Sequence, residues 1–270
     1  MMAYVEYVPP PLPRPTLSYA NCYVSEPAGY RPLHLDLHVP PGDGPFPVVL
    51  WIHGGGWMSG SRVMLPESVA PFGFHERMVG RGYAVADVDY RLAVEASYPS
   101  QLVDVQSAIR WLRHFSGPLR LDPARFATLG ESAGSHLAMM AALAGEGELA
   151  IQAMVNWYGP AHLLLPGTDD PGSNIAILLG GPLSSRSEFA RWASPLYNLH
   201  ELAPPLLSVH GTDDETVPFE HAVLLTEAMR ELGLRADLIA AQDAGHCFTG
   251  HQDIGGLIES CIDFLDDVLK

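Results

Sequence analysis

A serine between two glycines, a glycine triplet behind a histidine, and two later loops carrying acids and an imidazole are the residues here that could do chemistry. The serine is Ser132, in Gly130-Glu131-Ser132-Ala133-Gly134. It follows a β-prone run, residues 125–129, and opens an apolar helical run, residues 136–144. Strand, G-x-S-x-G and helix in that order are the setting of a nucleophile elbow. Such a turn strains the backbone at its apex and lifts the hydroxyl clear of the sheet. A Cβ at Gly130 or Gly134 would collide with the neighbouring strand or helix. A serine also needs a base to take its proton, and the base needs an acid to orient it. The expected chain order is serine, acid, histidine. The loop from His210 to Pro218 carries Asp213, Asp214 and Glu215 side by side, and chain order does not choose among them. The loop from Asp243 to Phe248 carries His246, the best-placed base. Upstream, His53 precedes Gly54, Gly55 and Gly56. If that loop lies beside the elbow, the N–H groups of Gly55 and Gly56 join that of Ala133 as an oxyanion hole, where losing one donor costs about 3–4 kcal/mol in the transition state. His53 itself reads as a brace for the loop. The chemistry implied is acyl transfer.

These loops need a scaffold that brings distant residues to one edge, and the hydrophobic pattern supplies it. Leu33, Leu35, Leu37 and Val39 alternate with His34, Asp36 and His38, which predicts an antiparallel strand with one wet face and solvent-facing histidines. The run 48–52 is continuously apolar, as expected of a strand covered on both faces. Residues 83–86, 125–129, 153–157, 206–209 and 236–240 read as further strands. Helices fit around 74–81, from Leu102 through Phe115, over 219–232 and from Ile254 to Leu269, with Asp104, Arg110 and Arg113 on the wet side of the second. Strands alternating with helices imply an α/β fold with a mostly parallel sheet and helices on both faces. The candidate loops then leave the carboxyl ends of strands, where such sheets place ligands. Residues 159–203 break this rhythm with turn formers and no clear strand, the mark of a lid or binding loop. Nothing else divides the chain, so one domain over residues 1–270 is expected. The crowded prolines Pro9, Pro10, Pro11, Pro13 and Pro15 suggest an extended arm.

Composition narrows the class. The chain has 270 residues, 47% hydrophobic and 17% charged, enough for one large core. Its net charge of -16 argues against nucleic acid and anionic membranes as partners. Three widely spaced cysteines, Cys22, Cys247 and Cys261, give no disulfide framework. With no signal-like start and no membrane-length apolar run, a cytoplasmic location is expected. No metal-ligand pattern, cofactor motif or phosphate loop is visible, so neither metal nor cofactor is expected. The sequence carries no signal of oligomeric state.

Together these motifs resemble the α/β-hydrolase superfamily, and within it the HGGG-type carboxylesterases of the hormone-sensitive-lipase and BD-FAE-like groups. The resemblance runs over about residues 33–264 and includes Asp89-Tyr90-Arg91-Leu92 and Trp157-Tyr158-Gly159-Pro160. It implies a small-molecule ester as substrate. The family's G-T-x-D-x-x-V-P pattern falls on Gly211, Thr212, Asp214, Val217 and Pro218, which singles out Asp214 as the triad acid beside Ser132 and His246. The family's oxyanion positions fall on Gly55, Gly56 and Ala133. Two departures stand out. Ala93-Val94-Glu95-Ala96 replaces Ala-Pro-Glu-His, and Cys247 replaces the usual glycine after the histidine. An arylformamidase would use the same triad on a C–N bond and is the alternative. Trp57 is expected to contact substrate, together with Trp157, Tyr158 and Trp192 from the lid candidates, which also include Ile175, Ile177, Leu178, Leu179 and Tyr197. Such apolar surface suits a short acyl or aryl ester.

Overall fold

The fold is a twisted eight-stranded sheet ordered β1-β2-β4-β3-β5-β6-β7-β8, seen in a computed structural model that describes residues 16–24, 29–164 and 169–270. The strands are β1 (Thr16–Val24), β2 (Gly29–His38), β3 (Phe46–Ile52), β4 (Ala84–Val88), β5 (Leu121–Glu131), β6 (Ala153–Trp157), β7 (Leu206–Gly211) and β8 (Ala236–Ala241). β1 and β2 pair antiparallel, β2 joins β4 antiparallel, and every pairing from β4 to β8 is parallel. The reason is visible in composition. Val48 through Ile52 are fully buried, because helices cover both faces of β3. Each such aliphatic side chain contributes about 1.5–3 kcal/mol on leaving water.

The helices are α1 (Phe74–Gly80), α2 (Ser100–His114), α3 (Ser116–Leu119), α4 (Ala133–Leu143), α5 (Asn174–Leu179), α6 (Leu183–Trp192), α7 (Glu220–Glu231) and α8 (Ile254–Leu269). They form two core layers. α2, α4 and α7 send Val105, Ile109, Leu137, Leu225 and Met229 into one. α1 and α8 send Phe74, Met78, Ile258, Ile262 and Leu265 into the other. α8 shows why sequence pattern suffices for such elements. Its apolar residues recur every three or four positions, and Asp253 caps its first turn by accepting the Gly256 N–H at 2.8 Å.

Five points need correction or placement. β1 has no alternation that marks it in sequence, yet it extends the sheet beyond β2. The face of β2 expected to be wet is half closed: Asp36 is buried, His34 and His38 are half-buried, and His38 bonds Asp87. Asp104, expected on the wet side of α2, is buried because it holds Arg91 through two hydrogen bonds at 2.7 and 2.8 Å. The excursion at 159–203 has no strand among its described residues but does carry α5 and α6. The prolines of the expected arm, along with Pro166 and Gly167, lie outside the described residues.

Candidate active site

The site is built where β5 turns into α4. Ser132 adopts φ 51 and ψ −120, a left-handed conformation that a non-glycine residue holds at a cost. Two backbone bonds fix it: its N–H donates to Trp157 O at 2.9 Å, and its carbonyl accepts the His136 N–H at 3.1 Å. The flanking glycines are sterically required. A Cβ on Gly130 would sit 2.5 Å from Gly134 O, and one on Gly134 would sit 2.1 Å from Ile52 O. The elbow is thus wedged against β3.

The loops after β7 and β8 meet at the same rim. They touch so closely that a Cβ on Gly211 would lie 2.2 Å from Ala244 O. Asp213 N–H donates to Ala244 O at 2.9 Å and ties the two loops together. This brings His246 Nε2 to 3.0 Å from Ser132 Oγ, and His246 Nδ1 to 2.7 Å from Asp214 Oδ2. Of the three adjacent acids, Asp214 is the buried one; Asp213 and Glu215 are exposed. Its other oxygen, Oδ1, accepts the N–H groups of Thr216 and Val217 at 2.9 and 2.8 Å. His210, fully buried, adds Nε2 at 3.4 Å from Oδ2. Burial pushes the Asp214 carboxyl up, but the bonds from His210, His246 and Val217 outweigh it and hold the group well below the usual carboxylate range. A fixed anion therefore faces Nδ1, which keeps that nitrogen protonated and leaves Nε2 to accept the serine proton.

The glycine triplet stands beside Ser132. Gly55 and Gly56 have φ 101 and 61, open to glycine without penalty, and Gly56 shares a cavity wall with Ser132 and Ala133. Among the described residues, the N–H groups of Gly56 and Ala133 have no acceptor in the protein. His53 braces the loop: its Nδ1 donates to Gly54 O at 2.8 Å and its ring stacks on Tyr90 at 4.3 Å. Burial lowers its pKa, so it stays neutral. Sequence reasoning missed Glu131. Its Oε1 accepts the Gly54 N–H at 2.9 Å and clips the glycine loop to the elbow. Burial raises its pKa, against the opposing pull of Gly54 and His246. Its only signal was an acid inside G-x-S-x-G.

A cavity of about 350 Å³ opens on Ser132, and its wall includes Trp57, Pro160, Ser173, Asn174, Ile175, Thr216 and Val217. Three expected substrate contacts are absent from this wall. Trp157 points into the opposite core layer, against Trp51, Phe74 and Phe248, and its Nε1–H donates to Cys261 Sγ at 3.2 Å. Strand alternation decides this: neighbouring Asn156 takes the other face, where its Oδ1 accepts from Ser135. Tyr158 is fully buried and supports the His246 ring edge-on at 4.9 Å. Trp192 is half exposed on α6 and stacks on Phe189. Of the lid candidates, Leu178 and Leu179 belong to the core. The remaining histidines are engaged elsewhere. Burial pushes His136 down to about 4, and its Nε2–H donates to Ala193 O at 2.6 Å. His221 Nδ1 accepts the Ala161 N–H at 3.2 Å. At the departure noted in the histidine loop, Cys247 takes φ 58, the region that favours glycine. Burial pushes its thiol up to about 11, so it stays neutral.

The chain is similar in sequence and fold to several esterases. Esterase LipC of Mycobacterium tuberculosis is 28% identical over 220 residues, covering 76% of this chain and 53% of that protein. Carboxylesterase NlhH of the same organism is 33% identical over 180 residues, covering 64% of this chain and 53% of its own. The chain spans about half the length of these relatives. Among solved structures, a thermophilic esterase (Est2) of the planctomycete Thermogutta terrifontis superposes with a TM-score of 0.77 at 26% identity, covering 96% of this chain and 94% of that one. It has been solved with propionate and with butyrate bound. The mostly parallel sheet, its helical layers and these likenesses make this an α/β-hydrolase fold. Residues 35–229 match the BD-FAE family, and the chain belongs to that family of α/β-hydrolases.

Proposed function

We propose that the protein is a serine carboxylesterase that hydrolyses short-chain or aryl carboxylic esters. The observation that carries this reading is the hydrogen-bonded line from Ser132 Oγ through His246 to Asp214, facing a cavity beside the Gly56 and Ala133 N–H groups. His246 Nε2 takes the serine proton as Oγ attacks the ester carbonyl. The oxyanion is held by N–H groups of Gly55, Gly56 and Ala133. His246 then returns the proton to the departing alcohol, and water repeats the sequence on the acyl-enzyme. Asp214 stays ionised throughout and stabilises the imidazolium. The insertion at residues 159–203 serves as the lid of a single domain, since Ser173, Asn174 and Ile175 bring α5 to the cavity wall.

The cavity's size supports a short acyl group, as do the propionate and butyrate bound by the Thermogutta relative. That the relatives carry the names of esterases supports C–O over C–N cleavage here and weighs against an arylformamidase. Three free thiols fit a reducing, cytoplasmic setting. Among the described residues, no helix is long and apolar enough to cross a membrane. A panel of p-nitrophenyl esters from acetyl to decanoyl, with feruloyl esters and N-formylkynurenine, tests the proposal. Acetyl through butyryl esters are expected to exceed decanoyl by about 10-fold or more in kcat/KM, a gap of about 1.4 kcal/mol in transition-state binding. Faster turnover of the formamide, or a maximum at decanoyl, would overturn it.

A further inference from the structure

The antiparallel side of the sheet carries a second cluster of chemically competent side chains that ester hydrolysis does not use. Asp87 lies in β4 and is fully buried. Each of its carboxylate oxygens meets a different imidazole: Oδ1 lies 2.9 Å from His75 Nε2, and Oδ2 lies 3.0 Å from His38 Nε2. The two rings stack 4.5 Å apart, 26° from parallel, so both turn the same nitrogen toward one carboxylate. One donor atom from each residue can be chosen so that all three lie within 4.8 Å of one another. Three separate elements, β2, α1 and β4, supply them.

The surrounding charge favours a cation. Asp36 is the cross-strand partner of Asp87, and Asp89 lies two residues further along. Those two carboxylates share the guanidinium of Arg62, at 2.9 and 3.0 Å. Three carboxylates gathered around one guanidinium make this side of the sheet locally acidic, a setting that suits a cation.

We propose that His38, His75 and Asp87 form a binding site for a divalent transition metal, with zinc the best match to two imidazoles and a carboxylate. Zinc binds such ligands at about 2.0–2.2 Å, which at tetrahedral angles separates neighbouring donor atoms by about 3.3 Å. The N···O separations of 2.9 and 3.0 Å need to open by only a few tenths of an ångström. Each imidazole binds through its Nε2 lone pair, so a neutral ring gives up the Nε2 proton it donates to Asp87 and takes one on Nδ1 by exchange with solvent, while a charged ring releases its Nε2 proton to solvent. The His38 side chain, 16% exposed, leaves the remaining position open to water. The bound ion pins α1 to β2 and β4, so its role is to stabilise the fold.

The test uses tag-free full-length protein, stripped with EDTA and dialysed, then titrated with Co²⁺ as a visible-absorption probe and with Zn²⁺ as its competitor. Wild type should show saturable d–d bands at one Co²⁺ per chain, displaced by zinc. Its Tm should rise by about 5 °C in zinc at 100 times the Kd. His38→Gln and His75→Gln should each weaken binding about 10-fold or more. Asp87→Asn, which keeps the side chain's shape, should do the same, while His246→Gln should bind as wild type does. No saturable Co²⁺ spectrum in wild type overturns the proposal. So does binding that survives in both His38→Gln and His75→Gln, or that is lost in His246→Gln.

Discussion

Ser132→Ala is expected to lower kcat on p-nitrophenyl acetate by ~10⁴-fold or more, with the Tm little changed. The size of the effect follows from what the hydroxyl does. Ser132 Oγ is the group that meets His246 Nε2 at 3.0 Å, so its loss removes the attacking atom and idles the base at once. The fold has little at stake in that oxygen, because the elbow is fixed by backbone bonds to Trp157 and His136 and by the glycine contacts around it. The backbone N–H groups remain, so a residual rate above water is expected from the oxyanion hole and binding alone. Turnover near wild type in a clean preparation would remove Ser132 from the mechanism.

Asp214→Asn is expected to cost ~10⁴-fold in kcat, whereas Asp213→Asn stays within about 3-fold of wild type. The two residues are adjacent, so the comparison isolates position from chemistry. An amide at 214 presents no charge to the imidazolium and can turn an N–H toward Nδ1, which favours the wrong tautomer of His246. It also leaves His210 without its carboxylate neighbour at 3.4 Å. Asp213 is exposed, and its carboxylate accepts from Thr212 Oγ1 at 3.2 Å, so its charge is screened by water. The reverse ranking in steady-state kinetics would move the acid to 213 and contradict the geometry described for the loop.

What could be read from the sequence follows a physical division. β3 was legible because a strand buried on both faces is continuously apolar, β6 and β7 because the same holds for them apart from Asn156, Ser208 and His210, and α8 because its apolar stripe has helical spacing. The elbow glycines and Gly55 were legible because a would-be Cβ at Gly130, Gly134 or Gly55 meets backbone oxygens at 2.1–2.5 Å, which leaves no other residue type. Buried polar residues were not. Asp36 and Asp104 look like wet positions until Arg62 and Arg91 arrive from elsewhere in the chain to satisfy them. His38 was misread for the same reason. The cavity wall was legible only in part: Trp57 and Ile175 were found, but Asn174 opens the six-residue α5 and Thr216 lies in a loop, so neither has a periodicity to mark it. Trp157 was misplaced because aromatic character says nothing about which face of a strand a residue takes; the parity of its neighbour Asn156 does. Glu131 was hidden because its partner is a backbone N–H 77 residues away.

The central claim is that Ser132 is the nucleophile activated by His246. Its most direct measurement is reaction with a p-nitrophenyl phosphonate ester, followed by peptide mapping of the adduct. One phosphonyl group per chain on the peptide carrying Ser132, with labelling lost in Ser132→Ala and slowed in His246→Gln, is the predicted result. An adduct on another residue, or inactivation with Ser132 unmodified, would contradict it.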